Sequence, residues 1–525
     1  MYSDKAHINH LTHILMNQGI TDIVACPGAR NAPLCHNFHQ AGFTLHPVTD
    51  ERSAAFVAIG IYLETRKPTI VCVTSGSALL NTLPAVAEAY YRHIPLIILS
   101  ADRPEEWIGH LDGQTLPQNE ALQPYTPSIN IEESDDFHAI NEGITQVLSA
   151  QGPSHINIQI EEPLFCFNQE SLPEIKVNVA NRSTEVFKVE ENALQQVAEM
   201  IQNAKRPLLM MGQQEAFEPE LFEKLSAHIA LLPEIISNAK DADLSDKLEK
   251  ILASGTTPSE MPDLILHIGG AFIGKQVKLH LRKQKDIKII RIGTESPVAK
   301  TFGKVDIAIQ ADAIVFLKRL LPLLSPRNYH QEWKASVNKA FQELTLPPIS
   351  NEEKAIIAFE TALREVGIGA LHVANSSSVR WANAHIQGGD YPVYCNRGVN
   401  GIEGSLSTAA GHSLKTEQIV GCIIGDLSFF YDANALWNVG LKQNFIVLLL
   451  NNNRGKIFYK FNGLKNSPAL APFIAASHDA TAEGICRSYA INHKQIHDAK
   501  EINQFILEHV SAQNSRPLVL EYICE

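Results

Sequence analysis

Short, unbroken apolar runs that each end in a glycine-rich or polar turn recur along this chain of 525 residues, and they constrain its fold more than any other feature. TIVCV precedes TSGS, PLIIL precedes SADRP, DLILHI precedes GGAF, IVGCII precedes GD, and FIVLLL precedes NNNRG. A strand with one wet face alternates apolar and polar side chains; a run without alternation is covered on both faces, as in a parallel sheet between layers of helices. Helical periodicity fills the intervals, over residues 7–18, 53–63, 78–91, 193–204 and 353–365. The pattern predicts the α/β class, with mainly parallel sheets flanked by helices.

A chain of this length exceeds what one core supports, and three units are expected, over residues 1–165, 185–330 and 350–525. The connections are the mixed polar stretches 161–188 and 326–351. A formal charge of −13 argues against a polyanion-binding surface, so no nucleic-acid partner is expected. No apolar run approaches the roughly 20 residues of a membrane span, and the N-terminal residues lack a signal or transit pattern. The expectation is a cytoplasmic protein with no membrane partner. Eight cysteines lie scattered without CxxC spacing and read as reduced, mostly buried thiols.

Chemistry concentrates at two strand ends of the third unit. The run 418–424 delivers Gly425-Asp426, and the run 445–450 ends in Asn451-Asn452-Asn453-Arg454-Gly455. Parallel sheets bind ligands at these carboxyl ends. A carboxylate, an amide oxygen and a free carbonyl are hard donors suited to Mg²⁺, with room left for phosphate oxygens. In the first unit, Glu51 stands between the strand-like 47–49 and a small-residue helix. The glycine turns HIGGAF and RIGTE of the middle unit do not complete GxGxxG and read as tight turns.

GD followed after 27 positions by Asn453 resembles the motif of the thiamine-diphosphate fold, and VTDERSAAFVAIG with TSGSALLN resembles the pyrimidine-binding half of the same family. The resemblance implies a pyrimidine-binding domain, a central Rossmann-like domain and a diphosphate- and magnesium-binding domain, in that order. It implies thiamine diphosphate as cofactor, with Asp426, Asn453 and the Gly455 carbonyl as ligands of Mg²⁺, or of Mn²⁺ as the alternative ion. Glu51 would polarise the aminopyrimidine, and Ile402 would prop the cofactor in its bent shape. Thr74, Ser75, Gly76, Ser407, Gly425, Leu427, Ser428, Ile457 and Phe458 would complete the cofactor site. Because the two cofactor-binding modules of this family meet between subunits, a homodimer or dimer of dimers is implied.

CPGARNAPL, SADRPEEW, GQTLPQ, NSSSVR and YCNRGVNGIEGSLSTAAG are similar to segments of the carboxylate synthases of menaquinone biosynthesis. Those transferases decarboxylate 2-oxoglutarate and add the four-carbon remainder to isochorismate. Both substrates are dicarboxylates, which arginine forks bind well. The resemblance assigns Arg30, Arg103, Arg380 and Arg397 to their carboxylates, Gln114 and Ser376 to orientation, and Lys275 to a cation over the pocket. Departures from the common pattern are Ala29, Gly113, Gln276 and Leu427, together with Arg454 and Lys456, which bring extra positive charge to the asparagine loop. Rival expectations are another thiamine-diphosphate 2-oxoacid decarboxylase or acetolactate-type synthase, a catalytically silent scaffold, and nucleotide binding by the middle unit.

Overall fold

The computed structural model describes residues 1–181, 189–294, 300–438, 440–512 and 515–524. Residues 182–188, the end of the expected first connection, and Glu295, the last residue of the RIGTE turn, lie outside the described residues. Three parallel sheets carry the chain, and a short antiparallel pair, Tyr2–Ser3 with Phe167–Gln169, ties its start to the far side of the first unit.

The first sheet runs in the spatial order Thr44–Pro47, Asp22–Ala25, Thr69–Val73, Leu96–Asp102, Ser154–Gln159, Ser128–Ile131, and every pairing in it is parallel. The last sheet runs Val393–Tyr394, Ile368–Val373, Ile419–Gly425, Phe445–Asn451, Leu518–Ile523, Asn492–Ile496, again all parallel. Numbered within each unit, both follow the order 2-1-3-4-6-5. The middle sheet, Ala230–Pro233, Pro207–Met211, Leu264–Ile268, Lys288–Gly293, Ile307–Gln310, follows 2-1-3-4-5.

Unalternating strands have the expected consequence, because successive residues enter separate cores. In the first sheet Val24, Val71 and Ile98 join one buried cluster while Ile23, Ile70, Ile97 and Leu99 join another. The last sheet divides likewise into Ile423, Leu448 and Leu520 against Cys422, Val447, Leu449 and Val519. Each sheet is therefore a hydrophobic layer between two helical ones.

One expected helix is two. Residues 78–91 divide into Ser77–Asn81 and Leu83–Arg92, with Thr82 between them and Pro84 in the first turn of the second. Proline lacks the N–H a continuous helix would use, and it suits a helix start. Elsewhere local chemistry and fold agree: Asn351–Glu365 begins with a capping box between Ser350 and Glu353.

The first and last units meet through Glu51–Thr65 and Ser405–Ser413, the helix after the second strand of each. Small residues permit the approach. A Cβ on Gly60 would lie 2.0 Å from the Thr408 carbonyl oxygen, and one on Gly411 would lie 2.0 Å from that of Val57. The hydroxyls of Ser53 and Ser407 are 2.7 Å apart in the same crossing. The carboxyl edge of the middle sheet docks on the last unit through Gln213 to the Cys395 carbonyl (2.6 Å) and the Val393 N–H to Asn238 (2.6 Å). Its glycine turns interlock, since a Cβ on Gly269 would meet the Gly212 carbonyl oxygen at 2.7 Å.

Candidate active site

The carboxyl ends of the first four strands of both six-stranded sheets carry nearly every residue singled out above. In the first unit they launch Arg30, Glu51, Thr74–Gly76 and Arg103; in the last they launch Ser376, Arg397 with Ile402, Asp426 and Asn453.

Asp426 and the asparagine loop come together. One Asp426 carboxylate oxygen accepts the Leu427 N–H at 2.7 Å, and the other accepts those of Asn452 and Arg454 at 3.0 and 3.1 Å. Burial raises the Asp426 pKa, with those N–H groups and His478 opposing it. Asn453 holds a left-handed φ of 59°, its N–H donating to Asn451 Oδ1 and its carbonyl accepting from His478 N–H. Asn451 is anchored in turn by the buried Glu521 at 2.8 Å. The Gly455 carbonyl accepts the Phe458 N–H at 3.1 Å and keeps a second lone pair. Asn452 Oδ1 is buried without a hydrogen-bond partner among the described residues. These all-oxygen donors fit a hard divalent cation. Among the described residues no three His, Cys, Asp or Glu side chains converge, so such an ion would need further oxygens from a ligand. The two extra cations of this loop are occupied, Lys456 by Glu352 at 2.5 Å and Arg454 over the Tyr459 ring.

Glu51 opens Glu51–Thr65 but does not cap it. Asp50 does, accepting the N–H groups of Arg52 and Ser53. That leaves the Glu51 carboxylate to Asn81, whose amide donates at 3.1 Å. Asn81 closes the TSGSALLN segment, and the sequence reading gave it no role. Ser75 is buried, and Gly76, at φ 87°, donates its N–H to Gln118 at 2.6 Å; a Cβ there would meet Gln114 Cα at 3.0 Å. Gln118 also went unassigned. Gly28 is required by a close approach, because its Cβ would sit 2.3 Å from that of Thr74.

The arginines gather in two groups. Arg30, buried, donates to the Ile160 carbonyl at 2.7 Å and to Glu162 at 3.2 Å, and its pKa is lowered by burial and then by Arg103. Both guanidinium groups lie near Trp107, at 5.8 Å for Arg30 and 5.6 Å for Arg103 from the ring centre. The Arg103 Nε is buried without a hydrogen-bond partner among the described residues. Gln114, exposed and at φ 58°, lies on the loop that follows.

The second group belongs to the last unit and is completed by the middle one. Arg397 is buried, its Nε unpartnered among the described residues and one Nη donating to Asn375 at 3.3 Å. Its loop is gripped from the first unit by Glu88, which accepts the N–H groups of Gly398 and Val399, both at 2.9 Å. Arg380 reaches solvent; burial and then Arg397 lower its pKa, and Glu249 opposes them. Ser376, at φ 72°, precedes the helix that carries Arg380. Lys275 extends from the middle unit to lie 5.5 Å from the Phe461 ring centre of the last.

Ile402 is 44% exposed, and its carbonyl accepts the Ser428 hydroxyl. Ile457 and Phe458 stand half-buried on the turn Lys456–Lys460. Ser407 differs from its neighbours. Fully buried, its N–H and hydroxyl both go to Asp432, at 2.8 and 2.7 Å, which makes it a support of the helix crossing. A cavity of about 490 Å³ beside Arg103 is lined by five glutamates, among them Glu105, Glu132 and Glu161, and repels dicarboxylates.

Comparison with known proteins bears on this geometry. Residues 8–124 match the family model of the N-terminal thiamine pyrophosphate binding domain of thiamine pyrophosphate enzymes. Residues 168–261 match a model described as the CO dehydrogenase beta subunit and acetyl-CoA synthase epsilon subunit. The 2-succinyl-5-enolpyruvyl-6-hydroxy-3-cyclohexene-1-carboxylate synthase of Bacteroides thetaiotaomicron is 37% identical over 522 residues, covering 96% of this chain and 92% of that protein. The proteins of the same name from Phocaeicola vulgatus and Desulfotalea psychrophila are 36% and 33% identical, covering 99% and 98% of this chain and 96% and 98% of their own.

Proposed function

Since the chain belongs to the family of 2-succinyl-5-enolpyruvyl-6-hydroxy-3-cyclohexene-1-carboxylate synthases, we propose that it decarboxylates 2-oxoglutarate and joins the remaining four carbons to isochorismate, as a thiamine-diphosphate enzyme of menaquinone biosynthesis. When bound, thiamine diphosphate supplies a nucleophilic thiazolium carbon that adds to a 2-oxo acid and holds the electron pair left by CO₂.

The chain's own residues then divide the remaining work. Asp426, Asn453 and the Gly455 carbonyl would hold Mg²⁺, or Mn²⁺ in its place, and the ion would supply positive charge to the diphosphate. Glu51, oriented by the Asn81 amide at 3.1 Å, would polarise the aminopyrimidine ring of the bound cofactor. Arg30 and Arg103 beside Trp107 receive one carboxylate group, and Arg380, Arg397 and Lys275 receive others. Gln114 and Ser376 orient the substrates. Ile402 would support the bound cofactor, while Ile457 and Phe458 would exclude water, so that the second substrate is met before a proton is.

Glu51 belongs to the first unit and the cation loop to the last, and we assign their meeting to two copies of the chain, as a homodimer or a dimer of dimers. Exposed apolar side chains beside the site residues favour such an interface, namely Leu80, Val399, Ile402 and Phe473. No described helix is long and apolar enough to cross a membrane; the cytoplasm is assigned as the place of action on the biosynthetic role proposed above.

The observation carrying this reading is the convergence of two strand ends on Asp426, through the N–H groups of Asn452 and Arg454. The test is incubation with 2-oxoglutarate, with and without isochorismate, thiamine diphosphate and Mg²⁺, following CO₂ and product mass. Coupled product that requires all four, and is lost in Glu51→Gln, is expected. Release of CO₂ with no coupled product would move the assignment to a simple decarboxylase.

A further inference from the structure

Five successive backbone N–H groups, those of residues 273–277, are held by just two carboxylates. Glu234 accepts from Ile273 at 2.6 Å and Gly274 at 2.8 Å. Glu249 accepts from Lys275 at 3.0 Å, Gln276 at 2.8 Å and Val277 at 3.0 Å. These N–H groups lead into the helix Lys275–Lys283, whose first turn has no internal acceptors. Left open, such a turn attracts anions. Here it is already filled, so the Lys275 ammonium is what this element offers to a substrate carboxylate.

Both carboxylates are themselves fixed. Glu234 follows the strand Ala230–Pro233 and has no exposed surface; its N–H donates to Met211 and its carbonyl accepts the Ser237 N–H and hydroxyl. Glu249 stands on Asp243–Ala253. Their electrostatic surroundings are cationic, and two of these cations, Arg397 and Arg380, are ones assigned above to substrate. Glu234 faces Arg397 and Lys278, and Glu249 faces Arg380 and Lys278. Burial lifts the Glu234 pKa to about 8, opposed by its two N–H bonds and then by those cations. A buried carboxylate is costly, and a helix start could be satisfied by a serine or asparagine, so the fully buried Glu234 beside the half-buried Glu249 calls for a reason beyond capping.

We propose that Glu234 and Glu249 are positioning residues of the substrate pocket, which together fix the register of Lys275 against Arg380 and Arg397 and so set the affinity for one dicarboxylate. The proposal rests on the reading of Lys275 as a substrate-binding cation. Its consequence is specific, because a loosened clamp would let Lys275 drift while the cofactor site, built from other units, stays intact.

The test uses the full-length holoenzyme with thiamine diphosphate and Mg²⁺, and the variants Glu249→Gln, Glu234→Gln, Lys275→Ala and Glu249→Gln/Lys275→Ala. A glutamine offers one acceptor oxygen where the carboxylate offers two. Glu249→Gln and Lys275→Ala should each raise the KM of the same substrate roughly tenfold, with kcat and the half-saturating thiamine diphosphate concentration little changed. In the double variant the losses should not multiply, since the glutamate acts through the lysine. Multiplying losses, or unchanged KM values in Glu249→Gln, would overturn the proposal, and Glu249→Gln serves even where Glu234→Gln fails to fold. If Lys275→Ala itself leaves both KM values unchanged, the role of Lys275 falls and the proposal with it, whereas a Lys275 effect without a Glu249 effect refutes the positioning alone.

Discussion

Gly411→Ala tests the helix crossing on which the relative placement of the first and last units depends. In an open helix this exchange is favourable by roughly 1 kcal/mol. At position 411 the new methyl carbon would stand 2.0 Å from the Val57 carbonyl oxygen and 2.7 Å from its carbon. Reaching ordinary contact requires the two backbones to part by roughly 1.4 Å, and strain of this kind typically costs about 1–3 kcal/mol. The displaced partner, Glu51–Thr65, carries Glu51 at its first position. A misplacement of roughly 1 Å can lower turnover about 100-fold. Coupled turnover at saturating cofactor and the thermal midpoint at one scan rate are the measurements, without conversion to a free energy for so large a chain. Gly484→Ala is the control, lying on Glu483–Ser488 with nothing within 4 Å of the added carbon. The control should hold or gain in midpoint while Gly411→Ala loses both midpoint and turnover. A Gly411→Ala protein that behaves like the control would refute the reasoning.

Trp107→Leu should raise the KM of one dicarboxylate about three- to tenfold with a smaller effect on kcat, because a cation–π contact is worth about 0.5–2 kcal/mol and two arginines share this ring. Chelation of divalent ions should abolish turnover and Mg²⁺ should restore it, whereas Asp426→Ala, lacking the carboxylate that also receives three backbone N–H groups, should stay inactive at any Mg²⁺ concentration. Asp432 gives a pH signature: burial lifts its pKa to about 6 against its bonds to Ser407. A raised carboxylate contributes stability that is present below the unfolded pKa, near 3.8, and lost as pH rises through about 6. That loss amounts to up to about 3 kcal/mol, so the thermal midpoint of the wild type should fall relative to Asp432→Asn between pH 4 and 6 and run parallel above.

The parallel sheets were legible because TIVCV and FIVLLL do not alternate, and non-alternation has one common physical cause. Gly425-Asp426 and Asn453 were legible because strand-end position and residue chemistry agree within the local sequence. Other residues were quoted in motifs without a role. Asn81, Trp107 and Gln118 sit inside TSGSALLN, SADRPEEW and GQTLPQ, yet what each does depends on a partner that only tertiary folding supplies: Glu51, the paired arginines, and the Gly76 N–H. Glu234 did leave a local signal, a lone acid inside the apolar ALLPEIIS, and such an acid is rarely buried without work to do. Ser407 shows the opposite limit, since its motif context could not reveal that Asp432 and Ser53 already engage its hydroxyl.

The shared strand order explains why so many site residues fall at equivalent places. In a sheet ordered 2-1-3-4-6-5, the connections leave in opposite directions from strands 1 and 3, and a crevice opens at their carboxyl ends. The chain makes this crevice twice and places candidate site residues in each: the first unit carries Glu51 and the Arg30–Arg103 pair, the last carries Asp426, Asn453 and Arg397. The two copies are joined back to back through the equivalent helices Glu51–Thr65 and Ser405–Ser413, each pressing a glycine onto the other's carbonyl. The middle sheet makes a third carboxyl edge, packs its turns there through interlocked glycines and docks it on the last unit, toward which it extends Lys275 from a helix start held by Glu249.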